Sequence, residues 1–463
     1  MNRRRAMKKL AVLGIGKSGI SAARWAVKMD FECVLSDKRP KDQWPKDLLE
    51  WCEAKGVVVD FGEHSEDKIL TSDVICPSPG IPHDIPILEE ARRLNIPIVG
   101  EACLGVSLWK GPKIGITGTN GKTTVTTLVG QMLKESGVPV FVGGNIGNPI
   151  LEQVDSVPPG TVLVAEISSF QLDLFPWERD SYQLPQPVFD VAVLLNVAQD
   201  HLERYEDFDA YAKSKARIFQ FQDRSGWAIT GEDELALLKG LGVVPKARTI
   251  VIKSSSLGPK TSVLTIMWPE GGEEDYDLSK VNLPGEHNIS NLYAAITASR
   301  LMGAKISVIQ RVIERFKLPK SRLELVKTVK GVKFINDSKA TNLHATLAAI
   351  RSIDAPIVLI AGGLGKGQDF SLLREQNVQN RVKAAVLMGS SAEDLKRSLG
   401  NVPCFLVNGK GDGWQKMEEA VKLAFSKAED GDVVLLSPAC ASFDLFGGYE
   451  ERGEAFRDAV KRL

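Results

Sequence analysis

Ile114-Gly115-Ile116-Thr117-Gly118-Thr119-Asn120-Gly121-Lys122-Thr123-Thr124 decides the fold class. The apolar run Lys113–Thr117 reads as a strand, the glycines as a tight turn, and the residues from Lys122 as a helix. Glycines let the backbone wrap a phosphate closely, and a helix N-terminus presents unpaired N–H groups and a positive dipole end. Lys122 can then reach β- and γ-phosphates, and the Thr123 hydroxyl can ligate Mg²⁺. The strict phosphate-loop spacing would place a glycine at 116, where Ile116 stands, so the turn is a variant.

The same alternation runs outward in both directions. Before the turn, Ala11–Gly14, Val34–Asp37, Val57–Phe61, Val74–Cys76 and Ile96–Val99 read as strands, with helical patterns at Gly19–Val27 and Ile87–Leu94. After it come strands at Val162–Ile167 and Val191–Asn196, a hairpin-rich stretch over Ala247–Met267 and a helix from Asn288. A third series follows Leu318-Pro319. It has a hairpin about Lys330-Gly331 and strands at Ile357–Ala361, Ala385–Met388, Phe405–Val407 and Val433–Leu436. Strand–helix alternation of this kind builds parallel α/β sheets. The chain has 463 residues, about three domain-sized units. The expected organisation is α/β in three domains: a Rossmann-like unit over 1–100, a phosphate-loop nucleotide-binding unit over 101–318 and a second Rossmann-like unit over 319–463.

Composition narrows the function. Lys+Arg and Asp+Glu both number 58, so the chain has no net charge, and 43% of it is hydrophobic. A neutral chain lacks the field of a general nucleic-acid or membrane-surface binder. No apolar run approaches a membrane span. Arg3, Arg4, Arg5, Lys8 and Lys9 precede a short apolar run that Lys17 ends, which reads as a buried strand rather than a signal peptide. Six cysteines without a C-x-x-C pair read as reduced thiols, so a cytoplasmic protein is expected.

Gly14-x-Gly16-x-x-Gly19, with Asp37 closing the next strand, matches the dinucleotide fingerprint. By itself it fits NAD(P), another nucleotide or plain tight helix–strand packing. Glu166 and His201 each lie at an expected strand end and could hold Mg²⁺ against nucleotide phosphates if those strands flank the phosphate turn. Taken alone, His201 reads more readily as a capping or hydrogen-bonded surface histidine. Lys215, on an expected helix, reads as solvated.

Gly118–Thr124 resembles the ATP motif of the Mur ligases and folylpolyglutamate synthases. Further matches follow in order: Gly143-Gly144-Asn145-Ile146-Gly147, Gly285–Asn291, Asn336-Asp337-Ser338-Lys339-Ala340-Thr341-Asn342, Gly362-Gly363-Leu364-Gly365-Lys366 and Leu436–Ser442. Within the family, Glu166-Ile167-Ser168-Ser169-Phe170-Gln171-Leu172 is similar to the D-glutamate-adding branch, as are the Gly14 turn and Ser78-Pro79-Gly80-Ile81. The resemblance implies an ATP- and Mg²⁺-dependent ligase that activates a carboxylate of UDP-muramoyl-alanine as an acyl phosphate and joins it to D-glutamate. It implies peptidoglycan precursor synthesis and, with it, roles in cell shape and division.

The resemblance also assigns roles. Lys122, Glu166, His201 and Lys215 would be catalytic, with Lys215 carbamylated. Thr123, Glu166, His201 and the carbamylated Lys215 would hold the metal. Gly118, Thr119, Asn120, Gly121, Lys122, Thr123, Thr124, Asn288 and Asp337 would bind ATP. Lys17, Ser18, Asp37, Lys38, Gly80, Asn145 and Ser168 would bind the UDP-substrate. Thr341, Lys366, Ser442 and Phe443 would bind D-glutamate, and Lys339 would serve the phosphate or the domain joint. Read alone, Asp337 could instead cap a helix, Lys366 could be a solvated turn residue, and Ser442 and Phe443 ordinary strand-end residues. Where the family carries His-Arg after the second joint, this chain has Ser321-Arg322. Sites spread over three domains imply closure on binding. The expected partners are small molecules, with no nucleic acid and no membrane, and the expected state is a monomer.

Overall fold

The computed structural model describes residues 9–175, 185–253, 262–281, 283, 285–318 and 320–463. The expected basic start at Arg3–Arg5 and the joint residue Pro319 lie outside them. Among the described residues the strands form three main sheets and one separate hairpin.

The first sheet holds β1 (Lys9–Leu13), β2 (Glu32–Asp37), β3 (Val58–Phe61) and β4 (Val74–Pro77) in the order β3-β2-β1-β4, all parallel. The expected strand at Ile96–Val99 is reduced to one bridge between Ile75 and Ile98. Pro97 has no N–H with which to extend a ladder.

The central sheet holds β5 (Lys113–Thr117), β6 (Val140–Gly144), β7 (Val162–Glu166), β8 (Val191–Leu194), β9 (Trp227–Gly231) and β10 (Arg248–Ile252). Its order is β10-β9-β8-β5-β7-β6, all parallel. The expected hairpin region therefore splits, with residues 254–261 outside the described ones. β10 joins the parallel sheet, whereas β11 (Val263–Met267) pairs antiparallel with β12 (Glu273–Asp277). The acidic run of β12 hides its one inward side chain, Tyr276, which is fully buried.

The third sheet holds β13 (Glu324–Val329), β14 (Val332–Asn336), β15 (Ile357–Gly362), β16 (Val382–Met388), β17 (Cys404–Leu406) and β18 (Val433–Leu436). Its order is β13-β14-β18-β15-β16-β17, and only β13 runs antiparallel to its neighbour. Lys330 and Gly331 close the β13–β14 hairpin with φ of 48° and 76°. Positive φ at both turn residues matches the twist of the flanking strands.

The joints between these units differ in chemistry. The helix Lys17–Lys28 buries Ala22, Ala23 and Ala26 in a cluster that continues into Ala102, Val106 and Leu151, beside the central sheet. The first and central units thus share one apolar core. The central and third units meet through polar side chains, described below. Relative motion is the default for a polar interface and is suppressed by a large apolar one.

The Gly14 turn shows how local sequence sets this frame. A Cβ on Gly19 would lie 1.9 Å from the Gly14 carbonyl oxygen, so the helix packs against the turn only through a glycine. A Cβ on Gly16 would meet nothing within 4 Å. Gly19→Ala is expected to lower stability by about 1–3 kcal/mol in urea unfolding, as an overpacked core position does. Gly16→Ala is expected to fold with unchanged stability. Equal losses at the two positions would contradict this account of the turn.

Candidate active-site cleft

β5, β7 and β8 are neighbours, and their C-terminal ends open on one crevice. Ligands of open parallel sheets bind at such an edge. A cleft of about 810 Å³ lies there, lined from all three units. Lys17, Ser18 and Pro79 come from the first. Thr119, Asn120, Lys122, Thr123, Asn145, Glu166, Asp200 and His201 come from the central unit. Ser321, Arg322, Lys339, Thr341, Asn342, Lys366 and Arg457 come from the third.

The turn opens the helix Lys122–Glu135, whose Val125, Leu128, Val129, Met132 and Leu133 bury one face against the sheet. Gly121 has φ of 86°, and a Cβ there would lie 2.4 Å from Asn291 Oδ1. The Asn120 N–H donates to Asn196 Oδ1 at 2.8 Å, and Asn196 Nδ2 donates to the Asn120 carbonyl at 3.0 Å, which ties the turn to the end of β8. Lys122 Nζ donates to the carbonyls of Gly118 and Thr119 at 2.7 and 2.9 Å. Desolvation pushes the Lys122 amine down, against the pull of Glu166 and Asp200.

Lys215 overturns the expectation of a solvated residue. It is 1% exposed, on the helix Phe208–Ala216, and its Nζ donates to the same Gly118 carbonyl at 2.9 Å. Burial, and then the charge of Lys122, hold its amine well below the ordinary lysine range.

Glu166 ends β7 and is buried. Its Oε1 accepts from Asn145 Nδ2 at 2.8 Å, while the buried Oε2 has no partner. Thr123 Oγ1 lines the same cleft and accepts from Lys339 Nζ at 3.0 Å. An unmatched carboxylate oxygen and a hydroxyl beside a phosphate turn suit a Mg²⁺ ion that takes its remaining oxygens from phosphate and water. His201 is less committed to that set. Its Nδ1 faces Glu203 Oε1 at 3.3 Å, its Nε2 lies 3.7 Å from Asp200 Oδ2, and its ring packs edge-on against Phe170. Among the described residues, no three His, Cys, Asp or Glu side chains converge as a metal cluster.

Asp200 is a cleft residue that sequence reasoning passed over. It is 4% exposed. Its Oδ1 accepts from Lys366 Nζ at 3.0 Å and its Oδ2 from Asn342 Nδ2 at 3.0 Å, both in the third unit. Burial alone would raise its carboxyl, but Lys366 and His201 outweigh this and hold it below its usual range. Asn342 also donates to Asn120 Oδ1 at 3.2 Å. The third unit therefore docks on the phosphate turn through hydrogen bonds and one ion pair. The acidic signal lay beside His201 in the sequence, but its partners stand more than 140 positions away.

The other expected residues divide. Asn288 and Asp337 line a second, narrow cavity of about 60 Å³ with Gly121, Thr124 and His287. Asp337 does not cap the following helix: Asn342 does, while Asp337 Oδ2 accepts from the Ser437 hydroxyl at 2.9 Å. Burial lifts the Asp337 carboxyl to about 7, with Arg322 opposing. Lys17, Ser18 and Asn145 line the main cleft. Asp37 holds the Gly14 turn by accepting from the Ile15 N–H at 3.0 Å and is clamped by Arg39. Lys38 and Gly80 are exposed. Ser168 serves as the N-cap of the helix Ser169–Leu172 in a capping box with Gln171. Thr341 and Lys366 line the cleft, but Ser442 is buried and Phe443 is 72% exposed, and neither reaches it. Ser321 lines the cleft with φ of 61° and lies 3.4 Å from Arg457 Nη1.

Comparison with known proteins fits this geometry. Residues 8–100 match the Mur ligase MurD-like N-terminal domain, residues 116–299 the Mur ligase middle domain, and residues 321–440 the Mur ligase glutamate ligase domain. The chain belongs to the Mur ligase family. It is 37% identical to the UDP-N-acetylmuramoylalanine--D-glutamate ligase of Pelotomaculum thermopropionicum, covering 98% of both chains. It is 36% identical to the enzyme of the same name from Desulfosudis oleivorans, over 98% of this chain and 96% of that one. Its fold is similar to MurF ligase from Thermotoga maritima in complex with ADP, with a TM-score of 0.60 and 17% identity over 93% and 96% of the two chains. No helix among the described residues is long and apolar enough to cross a membrane.

Lys366→Met leaves the buried Asp200 without its cation. Breaking such a pair costs about 3–5 kcal/mol. Small-angle scattering of this variant is expected to show a larger radius of gyration than the parent, with the apolar joint of the first two units intact. An unchanged profile would contradict the role of the ion pair in docking.

Proposed function

We propose that this Mur ligase uses ATP to join D-glutamate to UDP-N-acetylmuramoyl-L-alanine, a step in peptidoglycan precursor synthesis. The observation that carries the reading is the cleft itself, where a phosphate turn, a buried carboxylate and side chains of three units converge. Full-length similarity to enzymes of that name supports the choice of substrates.

The alanyl carboxylate of the substrate attacks the γ-phosphorus of ATP, ADP leaves, and an acyl phosphate forms. The amine of D-glutamate then attacks the acyl carbon, phosphate leaves, and the amine's surplus proton passes to solvent. The main need is to offset charge on the transferred phosphoryl group. Lys122 meets it by turning its ammonium from its own loop carbonyls toward the phosphates. Lys339 and Arg322 add positive charge from the third unit. Asn145 sets the direction of the Glu166 carboxylate. Thr123 and Glu166 would hold Mg²⁺, which supplies Lewis-acid neutralisation of phosphate oxygens, with His201 and a carbamylated Lys215 at the next positions.

The Lys215 amine adds CO₂ to give a carbamate and a proton, which turns a buried amine into an oxygen donor. Its burial and its cationic neighbour favour the neutral amine that this addition needs. Asn288 and Asp337 would take the adenosine of ATP in the narrow second cavity. The open backbone at Gly16, with Lys17 and Ser18, would take the uridine diphosphate. Thr341 and Lys366 would take the amino acid. A monomeric, cytoplasmic enzyme goes with this reading, since ATP and nucleotide-sugars are cytoplasmic substrates.

Phosphate release from ATP and Mg²⁺ with UDP-N-acetylmuramoyl-L-alanine tests the reading, with D-glutamate, L-glutamate, L-alanine or meso-diaminopimelate supplied in turn. Release with D-glutamate alone, with a product heavier by one glutamyl residue, is the expected result. Release with another amino acid, or with none, would overturn it.

A further inference from the structure

Arg204 lies three residues beyond His201 and reaches from the central unit into the glycine loop that follows β4. Its Nη1 donates to the Gly80 carbonyl at 3.2 Å and its Nη2 to the Ile81 carbonyl at 3.1 Å. Its guanidinium carbon sits 4.4 Å from the centre of the Phe170 ring. Phe170 in turn touches His201, with centroids 4.7 Å apart, and stacks on Tyr205 at 6.1 Å. Tyr205 is anchored by its hydroxyl, which donates to Asp173 at 2.7 Å, and it packs against Tyr211 at 5.2 Å. Tyr211 returns the series to the phosphate turn, with its hydroxyl 3.2 Å from Thr119 Oγ1 and its ring 4.6 Å from Lys215 Nζ.

We propose that Arg204 is a positioning residue that fixes the Ser78–Ile81 loop against the phosphate-transfer segment, setting where the nucleotide-sugar substrate lies relative to the phosphate turn. The proposal rests on the reading that the first unit holds uridine diphosphate. Three features single out this side chain. Two separate guanidinium nitrogens, fixed in one plane, each take one of the two successive carbonyls, whereas an ammonium would have to serve both from a single point with no preferred plane. The same plane stacks on an aromatic face, so its orientation is set from two sides. Pro79, between Ser78 and the bonded Gly80, lines the main cleft. The loop thus meets substrate on one side and Arg204 on the other. The apolar joint beneath holds the first and central units together whether or not Arg204 is present. Its loss therefore loosens the loop and leaves the fold.

Steady-state kinetics of Arg204→Ala and Arg204→Lys, with thermal melts of each, tests this. The KM for UDP-N-acetylmuramoyl-L-alanine should rise about tenfold or more in both variants, the loss expected for a pair of charge-assisted hydrogen bonds. The KM for ATP should stay within about twofold of the parent, and millimolar guanidinium ion should restore part of the loss in Arg204→Ala but not in Arg204→Lys. An unchanged KM for the nucleotide-sugar, or equal losses for both substrates tracking a lowered melting temperature, would overturn the proposal. If the parent protein turns over no such substrate, the functional reading fails first. Titration with UDP then decides the matter: equal affinity in the parent and Arg204→Ala overturns the proposal, and weaker binding in the variant supports it.

Discussion

Two lysine amines donate to one carbonyl oxygen, and the rest of the site is arranged around that crowding. Lys122 and Lys215 reach the Gly118 oxygen at 2.7 and 2.9 Å. Two ammonium groups that close together repel strongly wherever the effective dielectric is low. Lys122 has the cleft before it and can stay charged for phosphate. Lys215 is sealed behind the turn, so the neutral form falls to it. The sheet order puts the turn between the ends of β7 and β8, and this brings Glu166 and Asp200 near enough to balance what charge remains.

The joints distribute rigidity around this centre. The first and central units share an apolar core, so the Gly14–Gly19 turn keeps a fixed relation to the phosphate turn. The third unit is held by Asp200–Lys366, Asn120–Asn342 and Thr123–Lys339, all polar and all within the cleft. Under the proposed function, the phosphates of ATP and the substrate carboxylates would call on those same side chains. Ligand binding and the docking of the third unit would then be coupled through these shared groups.

Much of this was legible in the sequence because it was local. The strand–turn–helix around Lys122, the Gly14 turn and the Lys330-Gly331 hairpin each carry their geometry in adjacent residues. What escaped depended on distant partners. Lys215 sits among polar residues on its helix, and only the tertiary packing of Tyr211 and the phosphate turn buries it. Asp200 gains meaning from Lys366 and Asn342. Ser168 and Asp37 also carry structural roles, as a helix cap and a turn clamp. β12 escaped because four acidic residues surround its one buried tyrosine.

The state of Lys215 tests the central claim most directly. ¹³C NMR of the protein in ¹³C-bicarbonate should show a bicarbonate-dependent carbamate signal that Lys215→Ala abolishes. Such a signal would establish a neutral, carbamylating amine behind the phosphate turn. Its absence, together with a Lys215 ammonium titrating near the ordinary lysine value of about 10.4, would contradict the account.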